Sequence, residues 1–129
     1  MNNYTRKYIR VDVNMTIMLR ATSEPGLSEA KLVNVARGGI FVGMGNPPEI
    51  GRRVSLRFHI LNTRVCEATG TIVWRNLDSN NSGFGVCFNK TNLAMDVFTR
   101  SLSTLPPKLR SVFLADVQES TIEVVDAES

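Results

Sequence analysis

The chain has 129 residues, an apolar fraction of 43% and a formal net charge of +3, as expected for a single globular domain. Its longest apolar runs are far shorter than the roughly 18 residues of a membrane helix, and its N-terminus lacks the apolar core of a signal peptide. We therefore expect a cytoplasmic protein without a membrane span.

Charge is distributed unevenly along the chain. Residues 1–110 contain all 15 Lys and Arg with 7 acidic residues, a net charge of +8, whereas residues 111–129 contain 5 acidic residues and no basic one. We expect the body of the protein to attract anions and the tail not to do so.

The first predicted strand follows a polar arm. Residues 1–8 form this arm, which we expect to be mobile. From Ile9 to Leu19, apolar and polar residues alternate almost without exception, and this period of two predicts a half-buried strand. Arg6 and Arg10 stand where the arm enters the strand, so they could lie on two sides of one ligand.

A glycine turn between two short strands is the most informative stretch. The apolar runs Leu32–Val35 and Ile40–Val42 enclose a polar and glycine break, a pattern typical of strand, tight turn and strand. The two glycines allow positive φ, and Asn34, Arg37 and the backbone amides near Gly39 could hold an anion or a base. A bare hairpin turn would give the same pattern.

Three more strands are predicted in the second half of the body. They cover Val54–Ile60, Val65–Trp74 and Gly83–Asn89, with Trp74 on the same face as Cys66. Six short strands at even spacing, each with one apolar face, predict a mainly β fold, either a small antiparallel barrel or a sandwich.

The hydrophobic period then changes to that of a helix. Asn92–Leu105 has a helical apolar stripe that ends at two prolines, and Lys108–Val117 is a possible second helix whose stripe suits core packing or a dimer seam. We expect Glu119–Ser129 to be acidic and frayed, although Ile122, Val124 and Val125 could add a short strand. The predicted organisation is an arm (1–8), a barrel with a helix (9–105) and a C-terminal extension (106–129).

Catalytic and metal-binding patterns are absent from the sequence. His59 is the lone histidine, and no HExxH, P-loop or GxGxxG is present. Cys66 and Cys87 lack metal spacing and are expected to be reduced core residues. We therefore expect a protein that is not an enzyme and that needs no metal or cofactor.

Two motifs resemble those of PilZ domains. Arg6–Arg10 (RKYIR) matches the RxxxR motif, and Asn34–Gly39 (NVARGG) resembles the (D/N)xSxxG motif with its apolar flanks. Gly70–Trp74 and Gly83–Phe88 are similar to two later strands of the family. The resemblance covers about residues 5–104.

This resemblance implies a six-stranded antiparallel PilZ-like β-barrel with a C-terminal helix and binding of the bacterial second messenger cyclic di-GMP. By analogy, Arg6 and Arg10 would hold the guanines and phosphates, with Lys7 adding charge between them. Asn34 would contact a guanine edge, and Gly39 would keep the turn tight beneath the ligand.

Two positions depart from the family pattern. Ala36 stands where the motif has Ser, and Lys7 replaces a frequent second Arg. Loss of one hydrogen bond costs about 1–3 kcal/mol, which would weaken binding roughly 5- to 100-fold. Arg37 could compensate by adding a charge contact.

Three functions remain open from the sequence. The first is a receptor that binds cyclic di-GMP and relays it to an unidentified protein effector. The second is a PilZ-like protein-interaction module with weak or lost nucleotide binding and a possible homodimer contact through Leu109–Val117. The third, nucleic-acid binding, is disfavoured because exposed aromatic residues are few and the tail is acidic.

Overall fold

A computed structural model describes residues 10–22, 26–61 and 64–125. In these ranges the chain forms seven strands and two helices. Their bounds are β1 Val11–Ala21, β2 Ser28–Ala36, β3 Gly39–Gly43, β4 Arg53–Ile60, β5 Arg64–Asn76, β6 Gly83–Thr91, α1 Leu93–Thr104, α2 Pro107–Leu114 and β7 Val117–Val125.

The strands close into a barrel in the order β1-β2-β3-β6-β5-β4-β7. Neighbouring strands are antiparallel except β1 and β7, which run parallel. The predicted mainly β barrel with a C-terminal helix is therefore confirmed, with one strand more than the six expected. Neither helix of the described ranges is long and apolar enough to cross a membrane.

The barrel interior is filled by the alternate residues that the sequence pattern marks as apolar. In β1, Val11, Ile17 and Leu19 are buried while the polar residues between them face outward. The largest fully buried side chains come from several strands and from α1, and they are Phe58, Phe84, Ile17, Leu56, Ile72, Met95, Leu102 and Ile122. One hydrophobic core therefore holds the sheet and α1 together.

Helix α1 is fixed to the barrel by its N-cap and by its apolar face. The Asn92 side-chain oxygen accepts hydrogen bonds from the Met95 backbone N–H (2.9 Å) and the Glu67 backbone N–H (3.1 Å). The same side chain donates to the Val65 carbonyl at 2.9 Å. Because one residue caps the helix and bonds to β5, α1 begins at a defined place on the sheet.

The seventh strand, β7, closes the barrel between β1 and β4. Ile122 pairs with Leu19 of β1 and with Leu56 of β4, and all three side chains are buried. Residues 119–125, expected to fray, are therefore part of the barrel. The alternation of apolar and polar residues in β7 is hard to see in the sequence because the strand is irregular at its start. Glu119 has positive φ, at 54°, and lies near a register shift between β4 and β7.

The two cysteines differ in environment. Cys66 is fully buried, and burial raises the pKa of its thiol to about 11, partly opposed by the charge of Arg64. Cys87 is exposed on the outside of β6. The expectation of two core cysteines therefore holds for Cys66 and is wrong for Cys87.

Candidate functional site

The hairpin between β2 and β3 has a two-residue turn, Arg37–Gly38. Ala36 pairs with Gly39 across the end of the hairpin, and the Phe88 backbone N–H donates to the Gly38 carbonyl at 2.8 Å. Strand β6 thus holds the turn in place. Arg37 is exposed at its tip, and Ala36 is half-buried on the outer face.

Register brings Arg10 and Asn34 to this same corner of the barrel. Val11 pairs with Val35, and both side chains point into the core. Arg10 precedes Val11 and is exposed, so it lies beside Ala36 on the outside, and Asn34 follows on the same face. The structure therefore groups Arg10, Asn34, Ala36, Arg37 and Gly39, whereas Arg6 and Lys7 lie outside the described residues.

Gly39 is required by packing and not by an unusual backbone angle. The glycines with positive φ in the described chain are Gly26 and Gly51, so Gly38 and Gly39 do not use the positive φ that glycine allows. A Cβ added to Gly39 would overlap the backbone carbonyl oxygen of Val86 on β6. The glycine therefore allows β3 and β6 to approach each other beneath the site.

Two aromatic rings lie on the same outer surface. Phe41 and Trp74 stack with ring centroids 5.1 Å apart and planes inclined by 7°. A Cβ on Gly85 would overlap the Trp74 indole, and one on Gly83 would press on the Phe41 ring. The rings can pack closely against strand β6 because these two positions have no side chain.

The predicted orientation of Trp74 is wrong. The pattern placed it on the face of Cys66, which is fully buried, but Trp74 is 39% exposed. A register shift between Ile72 and Trp74 makes Val73 an extra residue in β5. A shift of one residue turns every later side chain to the opposite face.

Outward residues of five strands form one continuous row across the sheet. Asp12 pairs with Asn34, Asn34 with Phe41, Phe41 with Gly85 and Gly85 with Trp74. We call these five residues the outer row. A cation at Arg10, a carboxylate, an amide and two stacked rings therefore lie along one surface.

Small side chains border the outer row on the side of the turn. Ala36, Gly39 and Cys87 are consecutive partners across β2, β3 and β6. Their small size leaves a low, flat strip between the cation at Arg10 and the rings. This shape suits a planar base, with cationic donors for phosphate and polar groups for a base edge.

A separate concavity of about 650 Å³ lies away from the outer row, although it uses other stretches of β1, β5 and β6. Its walls include residues of β4 and β7, and its charged groups are mixed in sign. Arg57 lies 3.9 Å from the Glu67 carboxylate, and both side chains are more than half exposed. Because carboxylates lie beside the cations, this surface attracts an anion less strongly than a purely cationic one would.

Sequence reasoning found the motif residues of the site and missed the rest of the outer row. The sequence pattern places Phe41 in a strand without a further role, predicts the wrong face for Trp74, and marks Asp12 only as a polar residue of β1. The signal that would have found them is pairing between strands, which a single sequence does not contain.

Comparison with known proteins agrees with these motifs. A family model described as the PilZ domain matches residues 4–101, which is most of the chain. The match includes both motif regions and every outer-row residue. A search of curated proteins gives no significant match.

Proposed function

The chain belongs to the PilZ domain family, a family of cyclic di-GMP receptors, and we propose that it is a cytoplasmic receptor that binds this messenger and relays it to a protein effector. The observation that carries the proposal is the grouping of Arg10, Asn34 and Ala36 on one outer corner. PilZ domains bind and do not catalyse, so recognition is sufficient for this role.

The residues of the corner offer groups that match this ligand. Arg10 presents a planar fork of donors for phosphate oxygens or the O6/N7 edge of guanine. Asn34 offers one donor and one acceptor to a base edge. Trp74 is 39% exposed, and its indole is an aromatic group against which a base can stack.

Titration calorimetry with cyclic di-GMP at moderate salt tests the proposal, with GTP as the control ligand. The expected result is binding at micromolar or tighter concentration and no comparable binding of GTP. Absence of heat at high ligand concentration would overturn the receptor assignment. Equal binding of GTP would show a general anion surface.

Replacing Trp74 with Ala is expected to weaken cyclic di-GMP binding by about tenfold or more, because base stacking on an aromatic ring contributes about 1–3 kcal/mol. Trp74→Phe retains a ring and should lose much less. Trp74 is the sole tryptophan, so quenching of its fluorescence measures binding in the unmodified protein. Equal affinity of the Ala variant and the unmodified protein would place the base elsewhere.

Replacing Ala36 with Ser is expected to tighten binding roughly 5- to 100-fold, because it restores a hydroxyl that hydrogen-bonds the ligand. Ala36→Gly is the matched control, since it changes the same half-buried position without adding a polar group. No gain from Ser over Ala would show that the backbone does not present this position to the ligand.

The second candidate is a protein-interaction module with weak or lost nucleotide binding. Helix α2 favours it, because none of its residues is buried and Leu109 and Val112 are 51% and 65% exposed. Under this function the protein would give no calorimetric signal with cyclic di-GMP. A protein partner that binds the unmodified protein should then fail to bind the double variant Leu109→Ser, Val112→Ser.

A further inference from the structure

Asp12 is an acidic residue at the β1 end of the outer row, on a surface that otherwise suits an anion. It is exposed on β1 and pairs directly with Asn34 on β2. Directly opposite residues of an antiparallel pair have Cβ atoms about 4.5–5.5 Å apart. The Asp12 carboxylate and the Asn34 amide are therefore close enough to contact one base together.

Local irregularities of the sheet flank this pair. The register of β1 against β2 shifts between Asp12 and Met15, where Asn14 has φ of 48°. The register of β2 against β3 shifts between Leu32 and Asn34. Bulges of this kind are common next to functional sites, where they direct a side chain.

Neither side chain is committed to the fold. Among the residues that the structure describes, the Asp12 carboxylate and the Asn34 amide have no hydrogen-bond or ion-pair partner. Asp12 is exposed and Asn34 is half-buried, so both polar groups can meet a ligand without breaking an interaction of the free protein.

The chemistry of the pair matches the Watson–Crick edge of guanine. That edge has two neighbouring donors, N1–H and N2–H, and one acceptor, O6. A carboxylate accepts from both donors, whereas an amide can donate to O6 through its NH₂ group. Adenine presents an acceptor at N1, which would face the carboxylate oxygen without a proton between them, so this base would be rejected.

We propose that Asp12, together with Asn34, reads the Watson–Crick edge of one guanine and so makes the site select guanine over adenine cyclic dinucleotides. This inference rests on the proposed function and adds a residue outside both motifs. It assigns Asp12 to specificity, and Arg10 to binding of either dinucleotide.

The test compares the affinities of cyclic di-GMP, cyclic di-AMP and cyclic di-IMP for the full chain and its Asp12→Ala variant. Cyclic di-IMP keeps N1–H and O6 of guanine but lacks the N2 amine. The unmodified protein is expected to prefer cyclic di-GMP to both analogues. In Asp12→Ala, affinity for cyclic di-GMP should fall about tenfold to a hundredfold, and the preference over cyclic di-IMP should disappear.

Glu29→Ala is the charge-matched control. Glu29 is also exposed and also lies on the β1–β2 pair, opposite Met18 near the other end of the strands. Removing a negative charge relieves its Coulomb repulsion of a dianionic ligand and should slightly tighten binding, by less at Glu29, which lies farther from the site. A purely electrostatic role for Asp12 would therefore change affinity in the direction opposite to the one we expect.

The outcomes separate this inference from the proposed function. If the unmodified protein binds cyclic di-GMP and Asp12→Ala binds it equally or more tightly, the role of Asp12 is wrong and the receptor assignment stands. If the unmodified protein binds no cyclic dinucleotide, both are overturned. Loss of guanine preference with retained binding of cyclic di-AMP supports both.

Discussion

Arg10→Ala is expected to abolish detectable cyclic di-GMP binding and to leave the thermal midpoint of the free protein nearly unchanged. Two charge-assisted hydrogen bonds to one ligand contribute about 1.5–3 kcal/mol each, so their loss weakens binding about a hundredfold or more. Arg10 is exposed and directly precedes β1, so its side chain contributes little to the core. Calorimetry and thermal unfolding of the same preparation measure both quantities.

Two further substitutions separate geometry from charge. Arg57→Ala removes an equal charge from β4, which pairs with β5 and β7 and is remote from the β1–β2 corner, and it should bind nearly as the unmodified protein does. Arg10→Lys keeps the charge but loses the planar fork, so it should recover only part of the affinity. A large fall in the thermal midpoint of Arg10→Ala would instead show a structural arginine.

The strands β1 to β6 and helix α1 follow from local pattern. Alternation from Ile9 to Leu19 predicts β1, and burial of Val11, Ile17 and Leu19 confirms its inward face. Prolines after Leu105 end α1 as expected. These elements are predictable because each has an apolar face that its own sequence period reveals.

Features that depend on contacts between strands were not predictable. The face of Trp74 depends on one extra residue in β5, and a bulge is defined by the partner strand. The need for Gly39 comes from the approach of Val86 on a strand nearly fifty positions later. The spacing of apolar residues along one strand carries no information about the partner strand of β5 or about the approach of Val86 to Gly39.

The candidate site likewise contains some residues that the sequence pattern predicts and others that depend on contacts between strands. Its motif residues, such as Arg10 and Asn34, could be found because they lie in short segments of recognisable spacing. The other outer-row residues come from strands far apart in sequence, and only the barrel places Asp12, Phe41 and Trp74 on one surface. Sequence therefore located the corner of the site but not its extent.

Removing residues 117–129 is expected to unfold the protein, because β7 closes the barrel. Without it, β1 and β4 lose their shared neighbour, and the buried core loses Ile122 and Val124. Each buried aliphatic side chain contributes about 1.5–3 kcal/mol, and the exposed backbone of two strand edges adds to the loss. Domains of this size are stable by only about 5–15 kcal/mol. Circular dichroism and urea unfolding measure the result.

Single substitutions in β7 test the same point without shortening the chain. Ile122→Asp places an unpaired charge in a site of 1% exposure, so it should destabilise the protein by about 4 kcal/mol or more. Glu123→Ala changes an exposed neighbour on the same strand and should change stability by about 0.5 kcal/mol or less. Unchanged unfolding of Ile122→Asp would mean that β7 does not close the barrel. Because β7 pairs with β1, which positions Arg10 and Asp12, the unfolded variant should also lose nucleotide binding while Glu123→Ala retains it.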